Sequence, residues 1–340
     1  MTNSRQADSF PPVIYVLIAV LIWSTGGLFI KLTTLDAYQV TFFRSLLAGI
    51  TVAILTRKHG LKIDAFGVLT SIIYATLLFL FVWATKHTTA ANAIFLQYTA
   101  PIYILILAPF IIGEKFHWRD LITVAFCIGG MSLFFVGKLE ITDYQGNIAA
   151  LFSGVFLGLY IMLLKHPRAG GRPETRDRRQ ESEPGAVATG LPASAVNLYE
   201  GGDPNPSSQP SPVSRLSSPV SSMNPAIAVI YGNFLLAFLT LPSGIAALPV
   251  MNLTDIGSVT FLGIVQIGIA YILFIRGVTG GTRPLDASII GFIEPLLNPV
   301  WVFLFIGERP STWAIFGGTI IIATVITHTL VQYKIKVRLP

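Results

Sequence analysis

Ten apolar stretches, each about as long as a bilayer is thick, leave this chain few ways to fold. They lie near residues 12-32, 37-56, 66-87, 90-112, 119-137, 146-165, 224-247, 256-277, 285-306 and 312-332. Crossing a hydrocarbon core of ~30 Å takes about 20 helical residues, and a helix satisfies its own backbone there. With 53% hydrophobic and only 12% charged residues, the chain exceeds the apolar share of ordinary soluble domains. The expectation is an all-α integral membrane protein with ten transmembrane helices.

Two of these stretches share one grammar. The fourth runs through Pro101 to Gly113-Glu114-Lys115, and the ninth through Pro295 to Gly307-Glu308-Arg309. The two prolines lie 194 residues apart, as do the two glycines, so prolines and turns keep one register. This reads as an internal repeat. Five spans per copy is an odd number, so the copies enter the membrane from opposite sides, giving two inverted five-helix repeats. The expected boundaries are a tail at 1-11, a first repeat at 12-137, a second at 146-332 interrupted by a polar loop at 166-222, and a tail at 333-340. In each turn, glycine suits the left-handed close of a helix and the acid suits the start of the next.

The formal charge of +6 does not indicate nucleic acid, because the basic residues are spread between spans instead of clustering on a soluble face. Arg57, Lys58, Lys62, Lys115, Arg119, Arg276, Arg283, Lys334, Lys336 and Arg338 fall on one set of loops; the opposite set holds mainly Lys86, Lys138 and Arg309. The positive-inside bias places both termini in the cytoplasm. The leader Met1–Phe10 is short, and the first span is too long for a cleaved signal, so it reads as an uncleaved helix. Cys127 is the only cysteine, which excludes an intramolecular disulfide. Residues 166-222 are rich in Pro, Ser, Gly, Arg and Glu and read as a disordered cytoplasmic linker.

The paired Pro to Gly-Glu-basic pattern, together with Trp23-Ser24-Thr25-Gly26 and Ala84-Thr85-Lys86-His87-Thr88-Thr89-Ala90-Ala91-Asn92-Ala93, resembles the EamA branch of the drug/metabolite transporter superfamily. The resemblance covers nearly all the membrane region and implies ten helices in two inverted repeats around a central substrate cavity. The polar insert departs from that family's usual short connection.

Polar groups inside the spans are the candidate site. Glu294 lies mid-span before Pro295. An acid at that depth costs about 2.5–3.5 kcal/mol on insertion scales, so it should face a cavity or partner, and burial disfavours its charge and permits proton exchange. The first copy has Ala100 at the matching place, so packing of the repeat does not itself require an acid. Helical prolines deprive the carbonyl four residues earlier of its donor: Pro101 that of Gln97, Pro295 that of Gly291, and Pro299 that of Pro295. Gln97, Tyr98, Gln266, Tyr271 and Asn298 suggest a polar lining, with interhelical hydrogen bonding as the competing role of each. Trp23 precedes a small-residue run suited to close helix approach. Arg44 has two candidate partners, Asp36 or an anionic substrate, whereas Lys31 reads as a snorkelling anchor. Asp286 beside Pro284 reads as a helix cap.

No His-Glu-x-x-His pair, Gly-x-Ser-x-Gly turn or phosphate-binding loop occurs, which argues against a zinc enzyme, a serine hydrolase and an ATP-driven pump. The expected function is a secondary transporter exporting small organic metabolites, amino acids or related compounds, across the plasma membrane by alternating access, with proton coupling as a candidate drive. A lipid flippase or scramblase of the same fold is the alternative, and an intramembrane enzyme is a third class. The expected partners are a small-molecule substrate, the lipid bilayer and, as an open option, a second copy in a homodimer; no cofactor, metal or nucleic acid is expected.

Overall fold

The computed structural model describes residues 10–88, 90–133, 144–166, 224–306 and 312–338. Among them there is no strand. In chain order the helices are α1 (Pro12–Trp23), α2 (Gly26–Leu32), α3 (Ala37–Thr56), α4 (Ala65–His87), α5 (Ala90–Gln97), α6 (Ala100–Ile111), α7 (Trp118–Ser132), α8 (Tyr144–Lys165), α9 (Ile227–Leu239), α10 (Leu241–Ala247), α11 (Leu253–Phe261), α12 (Ala270–Thr279), α13 (Pro284–Gly291), α14 (Ile293–Ile306) and α15 (Thr312–Arg338). A π-helical segment, Leu262–Ile269, joins α11 to α12.

Helix starts follow from short polar side chains. Asp36 and Gln39 form a reciprocal box at the head of α3, with Gln39 N donating to Asp36 Oδ1 at 2.9 Å and Asp36 N to Gln39 Oε1 at 3.0 Å. Asn252 and Asp255 do the same at α11, and Asp64 caps α4 through the Gly67 amide at 2.7 Å. After α6, Gly113 takes φ +70°, the left-handed close expected of the Gly-Glu-Lys turn. The matching turn at 307–309 lies outside the described residues, as does 167–223.

The described parts of all ten apolar stretches are mainly helical, but not all as single rods. Seven helices among the described residues are long and apolar enough to cross a membrane, or eight if one bent pair counts as a span. The expected count of ten therefore exceeds what length shows. In the seventh stretch, α9 and Leu241–Val250 meet at 66°, because Pro242 lacks the N–H that would continue the ladder. The fifth is described for 15 residues of helix, and the ninth is split into pieces of 8 and 14 residues, each short of the ~20 a bilayer needs.

The exterior is strongly apolar: Phe110, Phe238 and Leu253 are 84%, 72% and 88% exposed. Water would penalise such a surface, whereas lipid tails solvate it. Inside, α4 packs on α8 and α9, α1 on α12, α3 on α9 and the π segment, and α7 on α15. Helices from both ends of the sequence thus surround one core.

Candidate functional site

Three spans that border one cavity break beside it, and a fourth bulges. The first span turns at Ser24-Thr25, where Ser24 Oγ donates to the Leu21 carbonyl and Thr25 Oγ1 to the Ile22 carbonyl, both at 2.7 Å. The fourth breaks at Tyr98-Thr99, just ahead of Pro101, and the ninth at Phe292, just ahead of Pro295. The missing proline N–H makes both breaks cheap. The π segment of the eighth span re-aims its side chains, a distortion frequent at functional sites.

These irregularities converge on a cavity of about 40 Å³ lined by Trp23, Arg44, Leu77, Leu78, Phe81, Gln97, Tyr98, Leu157, Gln266, Ile267, Tyr271 and Glu294. Seven of the eight residues expected at the site, namely Glu294, Gln97, Tyr98, Gln266, Tyr271, Arg44 and Trp23, are therefore brought together. The eighth, Asn298, lies on α14, but its side chain is outside the described set, as is that of Pro299.

Glu294 sits in the first turn of α14, 7% exposed, and Tyr98 Oη donates to its Oε2 at 2.7 Å. That bond joins the fourth and ninth spans across the cavity. Gly291 makes it possible: a Cβ there would stand 2.8 Å from Tyr98 Cε1. Tyr98 also packs on Phe292, with ring centroids 5.4 Å apart. On the other side of Tyr98, Gln97 Nε2 donates to Ser153 Oγ at 2.7 Å, fixing the break against α8. Gln97 thus serves as an interhelical tie as well as a cavity wall.

Arg44 corrects one of its two expected pairings. Asp36 is spent as the cap of α3, and Arg44 forms no ion pair among the described residues. Its guanidinium is 1% exposed, and Nε and Nη1 have no hydrogen-bond partner there. Around it stands an aromatic group in which Trp23 and Tyr271 were expected from the sequence and Tyr74 and Tyr160 were not. Tyr74 lies 4.9 Å from Tyr271 and 5.1 Å from Tyr160, while Trp23 lies 4.7 Å from Tyr271. The available signal was a tyrosine in the middle of each of two apolar spans. The Trp23 indole N–H and Gln266 Oε1 are likewise buried without a partner.

Polar clasps hold the helix ends above and below. At one face, Thr34 donates to both oxygens of Asp255, at 2.8 and 2.9 Å, and Lys86 reaches Thr33 at 3.4 Å. Lys31 reaches the Thr88 carbonyl at 3.4 Å, consistent with an anchor. At the other face Arg283 joins Asp120 at 2.9 Å, Glu114 at 3.6 Å and Asp286 at 3.7 Å. Burial works against the Arg283 charge, but the Asp286, Asp120 and Glu114 carboxylates outweigh it and hold its pKa above the usual arginine value. Asp286 is not the expected cap: Arg283 occupies the N-cap position, and Asp286, one turn in, also bonds His328 Nε2 at 2.9 Å. Among the described residues no cluster of His, Cys, Asp and Glu could hold a metal.

The EamA-like transporter family matches this chain over residues 10–136 and 213–330. An uncharacterized transporter of Archaeoglobus fulgidus is 23% identical over 327 residues, covering 93% of this chain and 96% of that protein. A solved crystal structure shares the fold, with a TM-score of 0.66 at 16% identity over 94% of this chain and 97% of its own.

Proposed function

This chain belongs to the EamA-like transporter family, and from that premise we propose that it is a secondary transporter exporting small organic metabolites, amino acids or related compounds among them. It is a multi-pass membrane protein. In our reading ten helices form two inverted five-helix repeats in the plasma membrane, with both termini cytoplasmic, and the cavity is the site that opens alternately to each side.

The observation that carries the reading is the meeting of broken helices at a cavity containing Glu294. Breaks at membrane depth are tolerated where they line a cavity or pack on protein, and an intramembrane acid needs a reason to remain. Glu294 held by Tyr98 is the coupling group: it takes a proton from one side and releases it to the other as the site turns. A cavity of about 40 Å³ has room for a few waters, less than an organic metabolite. Substrate entry therefore requires the site to widen, and in our reading one or the other clasp parts to widen it, which is alternating access in physical terms.

Metabolite profiles of cells with and without the protein name candidate cargo, and flux of that cargo in proteoliposomes tests the reading. Saturable flux supports it. Lipid translocation without solute flux indicates a flippase, and product formation indicates an enzyme.

A further inference from the structure

Arg44 presents a charge that the fold does not balance. It is 1% exposed in the middle of a membrane bundle, lines the cavity, and leaves Nε and Nη1 without hydrogen-bond partners among the described residues. Glu294, the one carboxylate that lines the cavity with it among the described residues, and the other buried or capping carboxylates have their own partners. Asp36 caps α3, Asp255 is held by Thr34, Asp120 and Asp286 face Arg283, and Glu294 accepts from Tyr98. Desolvating a guanidinium costs several kcal/mol, which a fold keeps only for some return.

The backbone that carries this side chain is also held in place. A Cβ on Gly263 would lie 2.9 Å from the Arg44 carbonyl oxygen, so α3 and the π segment touch backbone to backbone at this step. The charge therefore starts from a fixed stem.

We propose that Arg44 anchors the anionic group of the transported molecule, so that the substrates are small organic carboxylates carrying a hydrogen-bond donor. A guanidinium fork matches a carboxylate through two parallel N–H···O bonds. The unpartnered Trp23 indole N–H is a second donor on the same wall, and the unpartnered Gln266 Oε1 is an acceptor for a hydroxyl or amine. A phosphate fits less well: among the described residues Arg44 is the one cation in the lining, and Glu294 shares the wall with it. The inference deepens the transport reading and rests on it for what the bound molecule does next, not for the binding.

The test uses purified full-length protein in lipid nanodiscs and two matched pairs of probes, lactate with lactamide and mandelate with mandelamide. Each pair keeps shape and hydroxyl and differs in charge. Intrinsic tryptophan fluorescence gives Kd. At least one carboxylate should bind about tenfold or more tightly than its amide, the loss of one charge-assisted contact being worth that much. Arg44→Gln should abolish the difference, and Arg44→Lys should keep part of it. Because the charge is unbalanced, Arg44→Gln without ligand should melt at or above the wild-type temperature. Carboxylate and amide binding equally, neither carboxylate binding, a preference that survives Arg44→Gln, a ligand-free Arg44→Gln melting well below wild type, or inorganic phosphate binding more tightly than lactate would each overturn the proposal. Flux in the same preparation separates the two readings. A carboxylate bound through Arg44 but never moved leaves the anchor and removes transport; a neutral solute moved without carboxylate binding does the reverse.

Discussion

Tyr98 and Phe292 meet with ring centroids 5.4 Å apart, and they are separated by 194 residues, the spacing of Pro101 and Pro295. The two proline-broken spans thus touch at equivalent steps. Two residues beyond Phe292 stands Glu294, where the fourth stretch has Ala100. Ala100 is 1% exposed and does not line the cavity, whereas Glu294 does. Divergence at this one step leaves one carboxyl, with Tyr98 as its donor.

Tyr98→Phe keeps the ring against Phe292 and removes only the hydroxyl. Loss of the bond should cost about 1–3 kcal/mol, as for a buried acceptor left unsatisfied. The melting temperature should fall modestly while the pH dependence of flux changes; an unchanged pH profile would separate Tyr98 from coupling.

Gly291→Ala should reproduce the functional defect without touching either polar group. Its Cβ would fall 2.8 Å from Tyr98 Cε1, so the ring must move and the 2.7 Å bond to Glu294 with it. Overpacking of this kind typically costs about 1–3 kcal/mol. Melting and flux both report it, and a variant indistinguishable from wild type in both would show that the contact relaxes elsewhere.

Arg283→Ala removes the guanidinium bonded to Asp120, which is 2% exposed, and leaves it only the His117 ring at 3.8 Å among the described residues. Stranding that carboxylate should destabilise the protein by about 3 kcal/mol, the low end for a broken buried pair because Arg283 is 15% exposed. Arg283→Lys should recover only part, since an ammonium cannot fork between Asp120 and Glu114. A melting temperature equal to wild type for Arg283→Ala would refute the clasp.

What the sequence disclosed follows from which features are local. Apolar length, the prolines, the left-handed Gly113 and the cost of a mid-span acid are each written within a few residues. Helix rotation and partner choice are not. Asp286 and His328 bond across 42 residues, and Arg283 bonds Asp120 across 163, so no spacing rule joins them. Tyr74 and Tyr160 read as ordinary aromatic residues until α4 and α8 pack and bring their rings within 5.1 Å. The Asp36 pairing offered for Arg44 failed for a local reason: a short carboxylate at a helix start is first used by its own amides.

The family match pauses after residue 136 and resumes at residue 213. A chain lacking 170–212 should therefore insert, melt and transport as the full chain does, measured by membrane yield and flux. Normal insertion with lost flux would assign the segment a role beyond connection.

The central claim is that Glu294 couples proton movement to substrate movement through the cavity. Its most direct measurement is flux of the identified cargo in proteoliposomes with and without an imposed pH gradient, comparing wild type with Glu294→Gln. The gradient should drive accumulation by wild type, and Glu294→Gln, folded and still able to exchange substrate, should no longer respond to it. Undiminished gradient-driven accumulation by Glu294→Gln would show that Glu294 does not couple the two movements.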